Sequence, residues 1–443
     1  MTHKTTRRRF LAGATAATGA AAFPMPALAQ SAPLKIGLLT VKTGPLAAGG
    51  IHFEEGISSF LKDKNFTLSG RKIDLIVADT GGNPAGAKTK AQEVVERDKV
   101  DIVLGPFAAF ELLATVDYLA QAKMLTLAFA GAEDVTQRKA GAYLTRTSYT
   151  SAQGLYPLAD YVLNEMKLKR AASMGDDFAF GYEQVGGFQR VLEARGGQIV
   201  KKLWSPLNTA DYAPYVAQIP DCDVVCEVLA GSNPLKFTKQ ARGLGMKQPL
   251  VGGSTVADDT IIGAHDESAE GLINTNPYSL DRDTEANKRF IAVMKKNYGD
   301  DVRIGHYAAC FYTNGQVIEA ALAKTGGKSD NADELVKAVR AVTLADTPRS
   351  NRSPSSLPLR SNQLMNPSRA IMDAAATAMS DSARGRCSIV ILRPCRNKDC
   401  SITRASANWS DNDRWHPGFL ANRFSITRAC PQPSSLFRFP NFS

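Results

Sequence analysis

Short apolar runs alternate with amphipathic stretches along the chain from residue 34 onward. Short runs of aliphatic and β-branched residues predict buried strands, and apolar residues recurring every three or four positions predict helices. The predicted strands of the first series are Lys35–Leu39, Ile73–Ala78, Asp101–Leu104 and Leu125–Phe129. The predicted helices between them are His52–Leu61, Pro84 to about Asp98, and Phe110–Lys123. Strands that alternate with helices indicate a parallel sheet covered on both faces.

The same alternation begins again after residue 150. Its predicted strands are Arg170–Met174, Ile199–Trp204, Asp223–Leu229 and Pro249–Gly252. Its predicted helices are Ser151–Met166, Gly181–Arg195 and Pro234–Leu244, and three more follow at Asp283–Asn297, His306–Lys324 and Ala332–Ala341. Two such series predict an α/β protein with two doubly wound parallel-sheet lobes.

The chain is expected to pass between these lobes more than once. We predict a hinge near Thr145–Ser148 and return crossings near Asn274–Tyr278 and after Val342. The first lobe then contains residues 31–146 plus about 276–341, and the second contains 147–275 plus about 342–349. Ligands of such sheets bind at the carboxyl ends of the strands, so two facing lobes predict one cleft that closes around a small molecule.

The first 29 residues have the pattern of a cleaved export signal. Arg7, Arg8 and Arg9 precede Phe10 and Leu11, a weakly apolar stretch follows, and Ala27-Leu28-Ala29 fits a cleavage site. The paired arginines favour a twin-arginine signal over an ordinary secretory one. Either signal predicts a periplasmic protein.

The net charge of +10 is unevenly distributed along the chain. Residues 1–30 carry +4, residues 31–349 carry −2, and residues 350–443 carry +8. The predicted lobes therefore lack the excess of basic residues that binding to nucleic acid requires. After residue 30 no apolar run reaches the roughly 20 residues of a membrane span, so we expect no direct membrane insertion.

The composition changes abruptly after Arg349. Residues 350–443 contain 12 Arg but one Lys, are dense in Ser, Pro and Asn, and hold four of the seven cysteines. This predicts an irregular C-terminal tail that is disordered or results from a frameshift, and that leaves the second lobe incomplete. Among the other cysteines, Cys222 and Cys226 are close enough in sequence for a local disulfide, which we favour slightly over two buried thiols.

A series of short segments in a fixed order resembles the leucine-binding-type (type I) periplasmic solute-binding proteins of ABC importers. The resemblance spans roughly Leu34 to Arg349. It rests on segments that run in order along the chain: Lys35-Ile36-Gly37, Thr43-Gly44-Pro45, Asp79 before Asn83-Pro84, Gly105-Pro106, Arg146, Asp177 to Gly181, Gly252-Gly253 and Asp346 to Arg349. It implies two α/β lobes joined by three crossings, a monomer that delivers its ligand to a membrane permease and its ATPase, and no enzymatic activity. A ligand sensor that presents its ligand to a receptor is the alternative function.

The resemblance also indicates where a ligand would bind. Amino-acid-binding members carry hydroxyl side chains after the third strand and around the fourth, whereas this chain has Phe107, Ala108 and Ala109, and then Phe129 and Ala130. Phe178 and Phe180 come from the second lobe. With aromatic side chains at these positions, the chain resembles the subgroup of the family that imports aromatic acids. This resemblance implies that the ligand is a small organic acid with a planar apolar body. The alternatives are an amino-acid ligand, or phenylalanines that only fill the lobe cores.

Several polar groups are candidates for holding the carboxylate of the ligand. They are Arg146, Ser148, Ser254, Thr255 and the backbone N–H groups of Ala108 and Ala109. Tyr149 and Tyr278 lie by the crossings and could cap the ligand. For Arg146 we favour a structural role in the hinge over binding of the carboxylate. Ser232 is a further candidate for contact with the ligand, but capping of the next helix is favoured for it. No catalytic, metal-binding or cofactor motif is present in residues 31–349, and Asp176-Asp177 and Asp258-Asp259 are interpreted as loop and cap acids.

Overall fold

The first sheet contains the strands of the first series. The computed structural model describes residues 32–138, 141–258, 260–344, 347–349, 388–392, 402–406 and 425–429. The strands are β1 (Leu34–Thr40), β2 (Thr67–Leu68), β3 (Arg71–Asp79), β4 (Ile102–Leu104), β5 (Leu125–Ala128) and β6 (Leu144–Arg146). They lie in the order β2-β3-β1-β4-β5-β6, and all neighbours are parallel except β2 and β3.

Six helices cover this sheet, three from the first series and three from later in the chain. They are α1 (Ala47–Asp63), α2 (Pro84–Gln92) and α3 (Ala109–Gln121), and later α8 (Glu285–Tyr298), α9 (His306–Thr325) and α10 (Ala332–Arg340). Helix α2 begins as its sequence predicts, because Asn83 Oδ1 accepts the N–H of Gly86 at 2.8 Å and Pro84 fills the first turn. Helices α1 and α9 pack against each other, with Gly315 of α9 directly beneath the ring of Phe60.

The second sheet continues the same architecture. Its strands are β7 (Arg170–Asp176), β8 (Gln198–Ser205), β9 (Val224–Val228), β10 (Leu250–Gly252) and β11 (Ile273–Asn276), and these strands are mutually parallel. Its helices are α4 (Tyr156–Asn164), α5 (Ala179–Ala194), α6 (Ala213–Val216) and α7 (Asn233–Gly243). The predicted fold class, two α/β lobes with parallel sheets, is confirmed.

Three details differ from the sequence-based expectation. The segments β6 and β11, predicted as crossings, are short buried strands at the ends of their parallel series, from which the chain passes into the other lobe. The predicted helix from Ser151 begins only at Tyr156, after a 3-10 turn, because Pro157 has no N–H to donate and fits the first turn of a helix. The short helix α6 was not predicted.

Three strands of the tail extend the second sheet. These are β12 (Ser388–Leu392), β13 (Ile402–Ser406) and β14 (Ser425–Ala429), which follow β11 in antiparallel order. The sequence predicts no strand there, although Ile389–Leu392 is a short aliphatic run of the type that pairs with a free sheet edge. The remainder of the tail and the predicted export signal lie outside the described residues, so a disordered or frameshifted tail stays a prediction.

The predicted local disulfide is wrong. Cys222 and Cys226 are both buried free thiols, and so is Cys310 in α9. Cys222 precedes β9 and Cys226 lies within it, and an extended chain carries residues four apart beyond the reach of a disulfide. In the part of the chain that the structure describes, no helix combines the length and apolar character of a membrane span, and no cluster of side chains could hold a metal ion.

Candidate functional site

A cavity lies between the two lobes, at the carboxyl ends of their strands. Its volume is about 530 Å³, which includes the part open to solvent. Its lining residues are Leu46, Phe107, Ala108, Ala109, Phe129, Gly131, Ser148, Tyr149, Ser151, Phe178, Phe180, Ala230, Thr255, His306 and Tyr307. Both lobes therefore contribute walls, as the prediction of a shared cleft requires.

The first-lobe wall rests on one buried ring. Phe53 of α1 is fully buried and stacks on Phe311 of α9, with ring centroids 3.8 Å apart. Its ring also lies 4.8 Å from that of Phe107, 4.6 Å from that of Phe129 and 5.8 Å from that of Tyr307. Phe53 thus fixes the position of three aromatic side chains that line the cavity.

The two lobes touch each other around the cavity. Phe110 of α3 meets Phe178 of the second lobe edge to face, with centroids 5.1 Å apart, and Phe178 stacks on Phe180 at 5.8 Å. Gly231, after β9, lies so close to the carbonyl of Pro45 that a Cβ at this position would overlap it. The structure is therefore a closed arrangement of the lobes.

Nine of the predicted site residues line this cavity. They are Phe107, Ala108, Ala109, Phe129, Ser148, Tyr149, Phe178, Phe180 and Thr255. Ser254 stands directly behind them, because its Oγ is 2.6 Å from the hydroxyl oxygen of Tyr149. Burial raises the pKa of Tyr149 to about 12, so its hydroxyl is neutral.

Besides Ser254, four predicted residues do not line the cavity. Ala130 and Arg146 meet each other instead, since the Arg146 guanidinium donates to the carbonyls of Ala130 and Ala132 and, at 3.3 Å, to Thr136 Oγ1. Burial lowers the pKa of Arg146 to about 10, although the negative charges of Glu183 and Glu133 act to raise it. Arg146 therefore holds the loop after β5, in line with the structural role favoured from the sequence.

The other two are Tyr278 and Ser232. Tyr278 is buried in the first-lobe core, where its hydroxyl donates to Asn287 Oδ1 at 2.9 Å, so it does not cap the cavity. Ser232 stands at the N-cap of α7, but its side chain makes no capping hydrogen bond. The predicted capping by its hydroxyl is therefore wrong.

Most of the predicted carboxylate donors already have partners. Ser148 Oγ donates to the carbonyl of Phe129, and Thr255 Oγ1 donates to that of Leu229 at 2.6 Å. The Ala108 N–H donates to Glu111 Oε2 at 2.9 Å, so it is not free to bind an anion as predicted. Burial raises the pKa of Glu111, which also accepts from Thr80. Ala109, whose N–H was also a predicted donor, lines the cavity in the first turn of α3, where backbone N–H groups lack a partner within the helix.

Sequence reasoning missed six lining residues, of which His306 has the clearest chemistry. The others are Leu46, Gly131, Ser151, Ala230 and Tyr307. His306 begins α9, and its Nδ1 lies 2.8 Å from Asp258 Oδ2 in the loop after β10. The pair joins residues 48 positions apart in different lobes, so spacing along the chain gave no signal for it.

Comparison with known proteins assigns the chain to a family. The family model described as "Periplasmic binding protein" matches residues 33–368. The chain belongs to the periplasmic binding protein family. This periplasmic binding protein is 27% identical over 337 residues to the Leu/Ile/Val-binding protein homolog 6 of Brucella melitensis, covering 74% of this chain and 84% of the relative. It is 26% identical to the Leu/Ile/Val-binding protein of Escherichia coli, covering 73% and 86%.

Solved structures share its fold. A solute-binding protein of an ABC transporter from Rhodopseudomonas palustris, in complex with benzoate, superposes with a TM-score of 0.69 at 20% identity, covering 90% of this chain and 97% of that one. A leucine-binding protein from Thermotoga maritima superposes with a TM-score of 0.66 at 18% identity, covering 90% and 99%. The predicted resemblance to the periplasmic solute-binding proteins is thus confirmed.

Proposed function

We propose that this periplasmic binding protein captures a small aromatic carboxylate between its lobes and delivers it to the permease and ATPase of an ABC importer. In this proposal the protein is exported to the periplasm and binds its ligand as a monomer without a chemical step. The observation that carries the proposal is the cavity between the lobes, whose walls hold six aromatic side chains. Flat rings packed against such walls bury apolar surface on both faces.

The polar groups of the cavity favour a simple acid over an amino acid. None of the lining residues in the described part of the chain carries a carboxylate. The ammonium group of an amino acid would therefore lose its hydration without gaining a charged partner, which is costly in an apolar site. In support, R. palustris proteins of the same fold were solved in complex with benzoate and with 3,4-dihydroxybenzoic acid.

Branched-chain amino acids are the second candidate ligands. The curated relatives from Brucella and E. coli carry names that refer to Leu, Ile and Val. Leucine has no planar body, and its ammonium would have to bind carbonyls or hydroxyl oxygens alone. We therefore expect weaker binding of leucine than of benzoates.

A thermal-shift and calorimetric screen tests the ligand class. We expect benzoate, 4-hydroxybenzoate or a related ring acid, at about 100 times its Kd, to raise Tm by about 5–10 °C. Leucine, isoleucine and valine should leave Tm unchanged, and cyclohexanecarboxylate controls for planarity at constant charge. Tight binding of leucine without binding of any ring acid would contradict the proposal.

A further inference from the structure

His306 and Asp258 form a buried pair that joins the two lobes. Each side chain is 1% exposed, and His306 Nδ1 lies 2.8 Å from Asp258 Oδ2. The other oxygen of Asp258 accepts from the Thr260 N–H at 2.8 Å and from the Thr260 hydroxyl. Burial raises the pKa of Asp258, but His306 and Thr260 together lower it below its ordinary value. Asp258 is therefore an ionised carboxylate with a fixed orientation.

The second nitrogen of His306 is buried and has no partner. The imidazole ring lines the cavity beside Phe129 and Tyr307, at centroid distances of 6.0 Å and 3.9 Å. Among the described residues no atom forms a hydrogen bond with His306 Nε2. Proteins rarely leave a buried polar atom unpaired, so this atom in a ligand cavity points to a partner supplied by the ligand.

The charge of the pair decides what that partner is. An ionised Asp258 beside Nδ1 favours a proton on Nδ1, and a second proton on Nε2 makes the buried pair neutral as a whole. The titratable groups next to the His306–Asp258 pair are Tyr149 and Tyr307. Burial raises the pKa of both hydroxyl groups, so both are neutral. Cys310 and Arg349 lie beyond Tyr149. Arg303 binds the carbonyl of Thr260 on the far side. Asp258 is thus the one acid in contact with His306 in the described structure.

We propose that His306, oriented and charged by Asp258, binds the carboxylate of the ligand through its Nε2–H. This inference rests on the proposed function and names the group that recognises the acid. It takes the place of four predicted donors, since Arg146, Ser148, Thr255 and the Ala108 N–H all bind other atoms. Because Asp258 belongs to the second lobe and His306 to the first, the ligand is held where the lobes meet. Binding of the ligand's carboxylate therefore favours the closed form.

One property of binding follows for the unaltered protein. Benzoate should bind at least 10-fold more tightly than benzamide, because a hydrogen bond between two charged groups is stronger than one to a neutral amide.

The test compares His306→Gln with His52→Gln. His52 also pairs with a carboxylate, since its Nδ1 lies 2.7 Å from Glu55 Oε2, but it does not line the cavity. We expect H306Q to lower the affinity for benzoate about 30- to 100-fold and to abolish the preference over benzamide. H52Q should retain both the affinity and the preference. Asp258→Asn, which alters a positioning residue, should reduce the preference for benzoate over benzamide, because the carboxylate that favours a charged ring is removed.

The outcomes separate this inference from the proposed function. If no ring acid binds the unaltered protein, the proposed function is wrong. If benzoate binds but H306Q binds it as tightly, His306 is not the anchor and only the inference is overturned. Should H306Q fail to fold, the unaltered protein labelled with ¹⁵N-histidine gives the same decision. Benzoate should then shift the Nε2 resonance of one histidine. Equal affinities for benzoate and benzamide would contradict the inference.

Discussion

Replacing Phe53 with alanine is expected to lower the free energy of unfolding by about 3–5 kcal/mol. Phe53 is fully buried, and its ring contacts those of Phe107, Phe129, Tyr307 and Phe311. Removing it leaves a cavity that the rigid backbones of α1 and α9 cannot close, and three rings of the binding wall lose their support. The same variant should therefore bind ring acids more weakly, although Phe53 itself does not line the cavity.

Urea unfolding followed by circular dichroism and tryptophan fluorescence measures this loss. Because two lobes can unfold in separate steps, each transition is fitted on its own. Phe53→Leu is the matched control, and it should cost only about 1–2 kcal/mol because most of the volume remains. A loss below about 1 kcal/mol for F53A would mean that this part of the first lobe is loosely packed.

Replacing Gly231 with alanine is expected to lower the affinity for the ligand about 100-fold while both lobes stay folded. Gly231 has a φ of +62°, and a Cβ there would overlap the carbonyl of Pro45 and approach the side chain of Leu46, both in the first lobe. The added methyl group therefore acts against closure. The ligand must then use part of its binding free energy to restore the closed form.

Gly245→Ala is the matched control for this variant. Gly245 also has a positive φ, +88°, but a Cβ at this position would meet nothing within 4 Å. Both variants carry the strain of a left-handed alanine, and only G231A meets the opposite lobe. Calorimetry should give different affinities for the two variants, and small-angle scattering should give a larger radius of gyration for ligand-bound G231A. Equal affinities would show that the closed form does not need Gly231.

Local pattern was sufficient to predict most of the fold. The apolar runs of β1, β3, β9 and β10 and the Asn83-Pro84 helix start follow rules that act over a few residues, and the structure agrees with them. Strands β6 and β11 escaped prediction because they are short and contain polar residues, and their conformation depends on pairing with a neighbouring strand.

The sequence predicted those site residues whose location depends only on their position after a strand of the sheet. Phe107, Phe129 and Phe178 each follow directly after a strand, so a doubly wound fold brings them to the same edge. His306 follows no strand, and its role depends on an acid from the other lobe that only the folded chain brings near. The partners of Ser148, Thr255 and the Ala108 N–H likewise depend on tertiary contacts that no spacing rule reveals.

The position of the cavity between the lobes has a kinetic consequence. Because both lobes contribute walls, we expect a bound ligand to leave mainly when the lobes separate, so the opening rate of the complex helps to set the dissociation rate constant. Phe110 does not line the cavity, yet its ring meets that of Phe178 across the cleft. We therefore expect the residence time of the ligand to depend partly on side chains that do not contact the ligand. Substitutions of such side chains should change the residence time while the groups that bind the ligand stay the same.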